Sequence, residues 1–138
     1  MYSALLNNRL TSYLENNTLL VEEQNGFRQK RSTTEHVFTA TTVLKSRLQQ
    51  NKETFVSFID FQKAFDWVDR DCLLLRLLES GITGKLYFAI KACYRETYCR
   101  VRVNQYVTDF FVNNIGVRQG DSLSPTLFML FWMIWLYR

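Results

Sequence analysis

The amino-acid sequence predicts a domain of the α+β class, in which helices pack on a small sheet. Apolar residues recur at helical spacing in several separate segments. One short apolar run has the length and composition of a buried strand, and one segment alternates with the period of two that is typical of a hairpin. The chain has 138 residues, of which 47% are hydrophobic and 22% charged. This composition is typical of one globular domain.

Two helices are predicted in the first third of the chain. Apolar residues at helical spacing predict the first helix over residues 3–16, namely Leu6, Leu10, Tyr13 and Leu14. The sequence Ser-Thr-Thr-Glu at 32–35 has the form of a capping box, which satisfies free N–H groups where a helix begins. Residues at steps of four, three and four then predict a second helix over 33–50, namely Val37, Thr41, Leu44 and Leu48.

The remaining elements follow in chain order. Residues 54–60 are rich in aromatic and β-branched side chains and predict a strand buried on both faces. Four leucines mark a third helix that Gly81 can close, and a fourth helix is predicted over 85–95. Residues 99–103 alternate between apolar and polar, which predicts a strand, a turn at 104–105 and a returning strand over 106–112. Ser124 and Pro125 suit the N-cap and first position of a last helix.

Charge and cysteine usage narrow the class of protein. The net charge of +4 and pI near 9.1 mildly favour an acidic partner such as nucleic acid. The three cysteines form no CxxC pair and His36 is the single histidine, so we expect no zinc site. Free thiols are typical of a reducing, intracellular compartment, the cytoplasm or the nucleus. The apolar run over 125–137 is too short to cross a membrane, so no membrane partner is expected.

The first candidate functional segment is an acidic stretch that follows the predicted strand. Asp60 stands where the apolar run stops, and a carboxylate at the end of a buried strand needs a cation or hydrogen-bond donors. Asp60, Asp66 and Asp69 together suggest a divalent metal site. The alternative for Asp66 and Asp69 is that they cap the following helix.

Two further segments carry residues suited to a ligand. In residues 114–128, Gly116 and Gly120 let the backbone approach a ligand closely, and Gln119 can both donate and accept hydrogen bonds. The alternative is an ordinary loop leading into a helix. In residues 24–33, three cations precede a helix start and suit a phosphate, whereas the alternative is a solvated basic loop.

Taken together and in order, these segments resemble the motifs of reverse transcriptases from non-LTR (LINE-type) retrotransposons. Three pairs of matching segments carry the resemblance. The first is Asn-Gly-Phe-Arg at 25–28 with Ser-Thr at 32–33, and the second is Phe-Ile-Asp at 58–60 with Ala-Phe-Asp at 64–66. The third is Gly-Val-Arg-Gln-Gly at 116–120 with Leu-Ser-Pro at 123–125. The resemblance covers nearly the whole chain. It implies a partial right-hand polymerase fold over residues 1–138, fingers-like over 1–55 and palm-containing over 56–138.

The resemblance also implies a role for each matched position. Asp60 corresponds to the first catalytic aspartate, which holds Mg²⁺ with the Phe61 carbonyl as a further ligand. Phe65 occupies the position of a steric gate that leaves no room for a 2′-hydroxyl. The residues implied in binding the incoming dNTP are Arg28, Lys63, Ala64, Phe65, Gln119 and Gly120. The implied partners are an RNA template, a DNA primer and dNTP.

The aromatic-Ala-Asp-Asp turn of the family does not occur in the 138 residues. We therefore expect a domain that lacks the end of the palm and the thumb, and a chain that is inactive alone because one aspartate cannot hold two magnesium ions. The main hypothesis is a fragment of an RNA-directed DNA polymerase, whose intact parent adds dNTP by two-metal phosphoryl transfer. The alternatives are a non-catalytic remnant that binds nucleic acid or a partner polymerase, and a chain that does not fold stably because an apolar C-terminal helix is exposed.

Overall fold

The computed structural model describes residues 1–136, with side chains described as far as Met133. Tyr137 and Arg138, at the end of the predicted palm segment, lie outside the described residues. The chain divides into a larger unit, Met1–Leu19 with Lys63–Arg138, and a smaller unit, Leu20–Gln62. The described residues combine helices with two small two-stranded sheets, which confirms the α+β class.

The larger unit is built around four helices. The helices of the described chain are α1 (Tyr2–Asn16), α2 (Thr33–Gln49), α3 (Arg70–Glu79), α4 (Gly84–Arg95) and α5 (Ser124–Leu136). Helix α3 packs against α4 and α5, and α1 packs against the same two helices. Their shared core is aliphatic and consists mainly of Leu6, Leu10, Leu14, Leu73, Leu77, Ile82, Ile90, Leu123, Leu127 and Leu130. The predictions of α1, α3 and α4 from apolar periodicity are therefore confirmed.

Helix α5 begins one residue earlier than the sequence predicted. Ser124 was expected to cap the helix, but its hydroxyl lies 3.3 Å from the Tyr94 hydroxyl in the core. The turn before α5 is closed instead by Asp121, whose Oδ1 accepts from the Leu123 N–H at 3.2 Å. The prediction for Ser124 was wrong because the first hydrogen bond of the helix runs from the Leu127 N–H to the Leu123 carbonyl at 3.2 Å, which places Ser124 inside α5. No helix among the described residues combines the length and the apolar composition needed to cross a membrane.

The hairpin of the larger unit is interrupted by a bulge. Strand β1 (Tyr98–Cys99) pairs with β4 (Phe111–Val112), and β2 (Arg102–Val103) pairs with β3 (Tyr106–Val107), both antiparallel. Residues 108–110 separate β3 from β4, whereas only residues 100–101 separate β1 from β2. This extra residue breaks the pairing, so the prediction of two continuous strands was wrong. The turn at 104–105 is confirmed.

The smaller unit contains α2, which begins at the predicted capping box. The Ser32 N–H donates to Glu35 Oε2 at 2.8 Å. At the other end of the helix, the Arg47 guanidinium donates to Thr54 Oγ1 at 3.3 Å and to the Glu53 carbonyl at 3.4 Å. The helix prediction is confirmed, although none of the α2 side chains is buried.

The predicted strand over residues 54–60 is absent. These residues adopt no regular structure, and Phe55 and Phe58 are 93% and 95% exposed. A strand needs a neighbour to pair its N–H and C=O groups, and within the described residues the strands pair only in the hairpin. Asp60 is therefore exposed instead of standing at the end of a buried strand.

Candidate functional site

Two of the predicted motif segments meet in the larger unit. Residues 62–67 form a turn, and the loop that precedes α5 lies beside it. The Val117 N–H donates to the Phe65 carbonyl at 2.8 Å, and the Gly116 N–H donates to the Val68 carbonyl at 2.8 Å. These two backbone hydrogen bonds hold the turn and the loop side by side.

Gly116 makes this close approach possible. Its φ is +80°, and a Cβ built there would lie 2.8 Å from the Asp66 carbonyl oxygen and 2.9 Å from that of Phe65. The sequence predicted a close backbone approach to a ligand at this glycine, whereas the structure shows an approach to the backbone of the chain itself. Gly120 has the same φ of +80° but no atom within 4 Å of its Cβ position.

A side-chain hydrogen bond extends this contact beyond the backbone. The Gln119 Nε2 donates to Asp66 Oδ1 at 2.8 Å, and both side chains are exposed. The turn that carries Asp66 is closed by its own N–H, which donates to the Lys63 carbonyl at 2.9 Å. The interpretation of Asp66 as a cap of α3 was therefore wrong, because its carboxylate accepts a hydrogen bond from Gln119, which lies 53 residues away in sequence.

The ring of Phe65, which belongs to this turn, packs against α5. Phe65 is half-buried, and its ring contacts the ring of Phe128 edge to face, with centroids 5.0 Å apart and planes at 85°. Ala64, beside it, is also half-buried. Edge-to-face contact is one of the favoured geometries of an aromatic pair and stabilises the ring in this orientation. The position that the resemblance assigned to a steric gate thus carries a ring with a defined orientation.

Arg70 is a buried cation that the sequence pattern did not single out. Arg70 is 8% exposed. Its guanidinium donates hydrogen bonds only to uncharged oxygen atoms. The acceptors are Gly116 O at 2.9 Å, Asn113 O at 2.7 Å, Ile115 O at 3.1 Å, Thr97 Oγ1 at 3.2 Å and Tyr94 O at 3.3 Å. Burial lowers the pKa of this guanidinium, which stays charged because an arginine pKa begins so high. Arg70 thereby ties the start of α3 to the loop that carries Gly116.

The ring of Tyr94 contacts two arginines, Arg70 at the start of α3 and Arg118 in the loop before α5. The Arg70 and Arg118 guanidinium carbons lie 5.4 Å and 5.8 Å from its ring centroid, within the range of cation–π attraction. Arg118 also donates to the Cys93 carbonyl at 2.8 Å. Burial raises the pKa of the Tyr94 phenol, so the ring stays neutral at physiological pH. No periodic pattern marks Arg70 or Arg118, since each contacts residues distant in sequence.

In the smaller unit, Arg28 supports the basic loop. Its Nη1 donates to the Val21 carbonyl at 2.9 Å and to the Gln24 carbonyl at 3.3 Å, and the side chain is half-buried. Arg31 pairs with Glu22 at 2.5 Å, and the hydrogen bond from this arginine lowers the pKa of the Glu22 carboxyl. Hydrogen bonds from Arg28 and the ion pair of Arg31 therefore stabilise the conformation of the basic loop.

The predicted site residues are divided between the two units. The larger unit contains Lys63, Ala64, Phe65, Gln119 and Gly120, and the smaller unit contains Arg28, Asp60 and Phe61. Among the described residues, no three His, Cys, Asp or Glu side chains cluster as a metal site would require. Asp60 belongs to the smaller unit and Asp66 and Asp69 to the larger one, so the metal cluster of these three residues that the sequence suggested stays a prediction.

Asp69 is a helix cap, as one of the two sequence interpretations held. Its Oδ1 accepts from the Cys72 N–H at 2.9 Å, and this bond lowers the pKa of the carboxyl. We expect Asp69→Ala to lower the free energy of unfolding by about 1 kcal/mol at neutral pH, the typical value of such a cap. Chemical denaturation of the 138-residue chain measures it.

The acid dependence of this cap follows from the direction of the pKa shift. Because the folded-state pKa of Asp69 is depressed, its contribution is complete above the ordinary aspartate pKa. The contribution is lost as the pH falls below that value through the lower folded-state pKa. Asp69→Asn is the matched control, since asparagine caps equally well but does not titrate. Equal acid sensitivity of the aspartate and asparagine chains would contradict the assignment.

Comparison with known proteins identifies the family. Residues 1–135 match the family model described as reverse transcriptase (RNA-dependent DNA polymerase). The chain belongs to this family. The match confirms the resemblance found in the three motif segments, because it spans all of them.

The relatives of this reverse transcriptase chain come from non-LTR retrotransposons. It is 30% identical over 131 residues to the probable RNA-directed DNA polymerase from transposon BS of Drosophila melanogaster, covering 95% of this chain and 14% of that protein. It is 28% identical over 127 residues to the RNA-directed DNA polymerase from mobile element jockey of the same species, covering 92% of this chain and 14% of that protein. It is 32% identical over 85 residues to the Pol polyprotein from the type-1 retrotransposable element R2 of Popillia japonica, covering 62% and 14%.

The chain therefore spans about one seventh of the length of these relatives, 14% in each case. Within that span it aligns with their reverse transcriptase domain. The comparisons confirm the hypothesis that the chain is a fragment of a reverse transcriptase domain, and they do not favour the alternative of a non-catalytic remnant.

Proposed function

We propose that this chain forms part of an RNA-directed DNA polymerase, which adds dNTP to a DNA primer on an RNA template. The observation that supports this most directly is the meeting of the turn at 62–67 with the loop at 116–120. Both segments match motifs of the family, and their contact brings Phe65 and Gln119 to one place in the larger unit. We also propose the finer fold, a right-hand polymerase with fingers-like residues 1–55 and palm-containing residues 56–138.

In this proposal the larger unit receives the incoming nucleotide. Phe65 acts as the steric gate against a 2′-hydroxyl, and its packing on Phe128 supports this role because a gate must hold its position. The backbone amides of Lys63 and Ala64 lie beneath the triphosphate. Gln119 and Gly120 support the nucleotide from the loop, and the open space around Gly120 leaves room for it.

In the smaller unit, Arg28 contacts the triphosphate and Asp60 supplies a metal-binding carboxylate with the Phe61 carbonyl. Mg²⁺ would neutralise phosphate charge and activate the primer hydroxyl when bound. A two-ion site needs more than one carboxylate, and Asp66 and Asp69 are used in other contacts. The described residues therefore do not fit a complete magnesium site, and no catalytic step is assigned to them.

The test is a chimera in which this chain replaces the aligned segment of the jockey polymerase. Incorporation of labelled dNTP on a primed RNA template is measured with the unaltered relative as positive control. We expect the chimera to incorporate dNTP and Asp60→Asn to reduce the rate at least about 100-fold, because the variant removes a metal-binding charge. Asp109→Asn, at an exposed hairpin position, is the matched control and should leave the rate unchanged.

Two results would contradict the proposal. A silent chimera beside an active relative would show that this chain does not supply the polymerase parts assigned to it. Full activity of the Asp60→Asn chimera would remove Asp60 from the metal site while leaving the family membership intact.

A further inference from the structure

We infer that Asp66 is a positioning residue that sets the orientation of the Gln119 side-chain amide toward the incoming nucleotide. This inference rests on the proposed function, since it concerns the same nucleotide site. It starts from the 2.8 Å hydrogen bond from Gln119 Nε2 to Asp66 Oδ1. The bond joins two motif segments across 53 residues of sequence.

The chemistry of the two groups fixes which way the amide points. A glutamine amide has a donor side and an acceptor side of nearly the same shape, so it can sit in either orientation. A carboxylate can only accept hydrogen bonds. Asp66 therefore selects the orientation in which Nε2 faces it, and Oε1 with the second N–H is turned to other groups.

Asp66 is itself held firmly enough to impose this choice. Its N–H donates to the Lys63 carbonyl at 2.9 Å, and its backbone lies against Gly116. The preceding residue, Phe65, is fixed by its ring contact with Phe128 and by the bond that its carbonyl accepts from Val117. A carboxylate on a restrained turn orders the longer and exposed Gln119 side chain, which would otherwise sample many rotamers.

The consequence concerns nucleotide binding more than the chemical step. With Asp66 in place, the loop offers one acceptor and one donor in a defined arrangement next to the segment that carries Phe65. Without Asp66, the ordering of Gln119 and the choice of amide orientation must be made when the nucleotide binds. The KM for dNTP should therefore rise while kcat changes little.

The contact itself is tested on the 138-residue chain by NMR of the glutamine side-chain amides. Gln119→Ala identifies the Gln119 resonances by their loss. We expect Asp66→Ala to shift them and speed their hydrogen exchange, and Asp66→Asn to produce two exchanging orientations because asparagine both donates and accepts. Unchanged Gln119 resonances in the Asp66→Ala chain would overturn the inference.

The role is tested in the chimera with jockey polymerase. We expect Asp66→Ala to raise the KM for dNTP about tenfold with kcat changed less than about threefold, the scale expected when one long side chain must be immobilised on binding. The double variant Asp66→Ala with Gln119→Ala should be no worse than Gln119→Ala alone, since both act through one contact. Asp109→Ala is the matched control.

The two failures are distinguishable. A chimera with the unaltered chain that shows no incorporation would remove the proposed function, and with it this role. An active chimera whose KM is unaffected by Asp66→Ala, or in which the two substitutions add independently, would overturn the positioning role while the polymerase function stands. Equal melting temperatures of the variants would show that the KM change does not come from unfolding.

Discussion

Replacing Arg70 by methionine is expected to lower the free energy of unfolding by about 4 kcal/mol, because it breaks a network of hydrogen bonds from a buried charged group and leaves acceptors without donors. Methionine fills much of the space of the arginine but donates no hydrogen bond. Five oxygen atoms then lose a donor, in three buried and two part-buried hydrogen bonds, and each buried acceptor without a partner is costly. The stacking of the guanidinium on Tyr94 is lost as well.

Urea denaturation of the 138-residue chain measures this effect. Arg95→Met is the matched control, because Arg95 is exposed on α4 and should cost less than about 0.5 kcal/mol. Arg70→Lys should fall between the two, since an ammonium group offers fewer donors in a less rigid arrangement. A cost for Arg70→Met no larger than that for Arg95→Met would show that the network does not hold the loop.

The helices of the larger unit were predictable because their apolar periodicity reports burial directly. Leu6, Leu10 and Leu14 lie on one face of α1, and all three are buried. The same pattern predicted α2 correctly, although its apolar residues Val37 and Leu48 are 65% and 75% exposed. Periodicity thus predicted helix formation in both units but predicted the buried face only in the larger one.

The strand prediction failed because strands depend on distant partners. Residues 54–60 have the composition of a buried strand, but composition does not specify which segment pairs with them. The prediction of the hairpin was correct at its turn, where the pairing is local, and wrong at the bulge near Thr108. There the Thr108 hydroxyl accepts from the Val101 N–H at 2.9 Å and replaces a regular backbone bond.

The candidate site shows the same division between local and distant information. Motif resemblance selected Phe65 and Gln119, which the structure places in adjoining segments. Local rules assigned Asp69 correctly to a cap but assigned Asp66 to the same role, because a cap is the commonest local use of an aspartate. The partner of Asp66 and the acceptors of Arg70 are all distant in sequence, and no single-sequence pattern encodes them.

Replacing Gly116 by alanine is expected to lower the free energy of unfolding by about 3 kcal/mol, the sum of left-handed backbone strain and overpacking. The φ of +80° disfavours any residue with a Cβ. The new methyl group would also lie 2.8 Å from the Asp66 carbonyl oxygen and 2.9 Å from that of Phe65. These are backbone atoms, so they cannot rotate away as a flexible side chain could, and the turn and the loop would have to separate.

Gly120→Ala separates the two causes. Gly120 has the same φ of +80°, but its Cβ position has no atom within 4 Å, so the substitution adds strain without a clash. We expect it to cost about 1 kcal/mol, which is the backbone term alone. The difference between the two variants in urea denaturation then measures the contact between the motif segments. Equal costs would mean that the segments do not meet closely at Gly116, and the structural support for the nucleotide site would be lost with that contact.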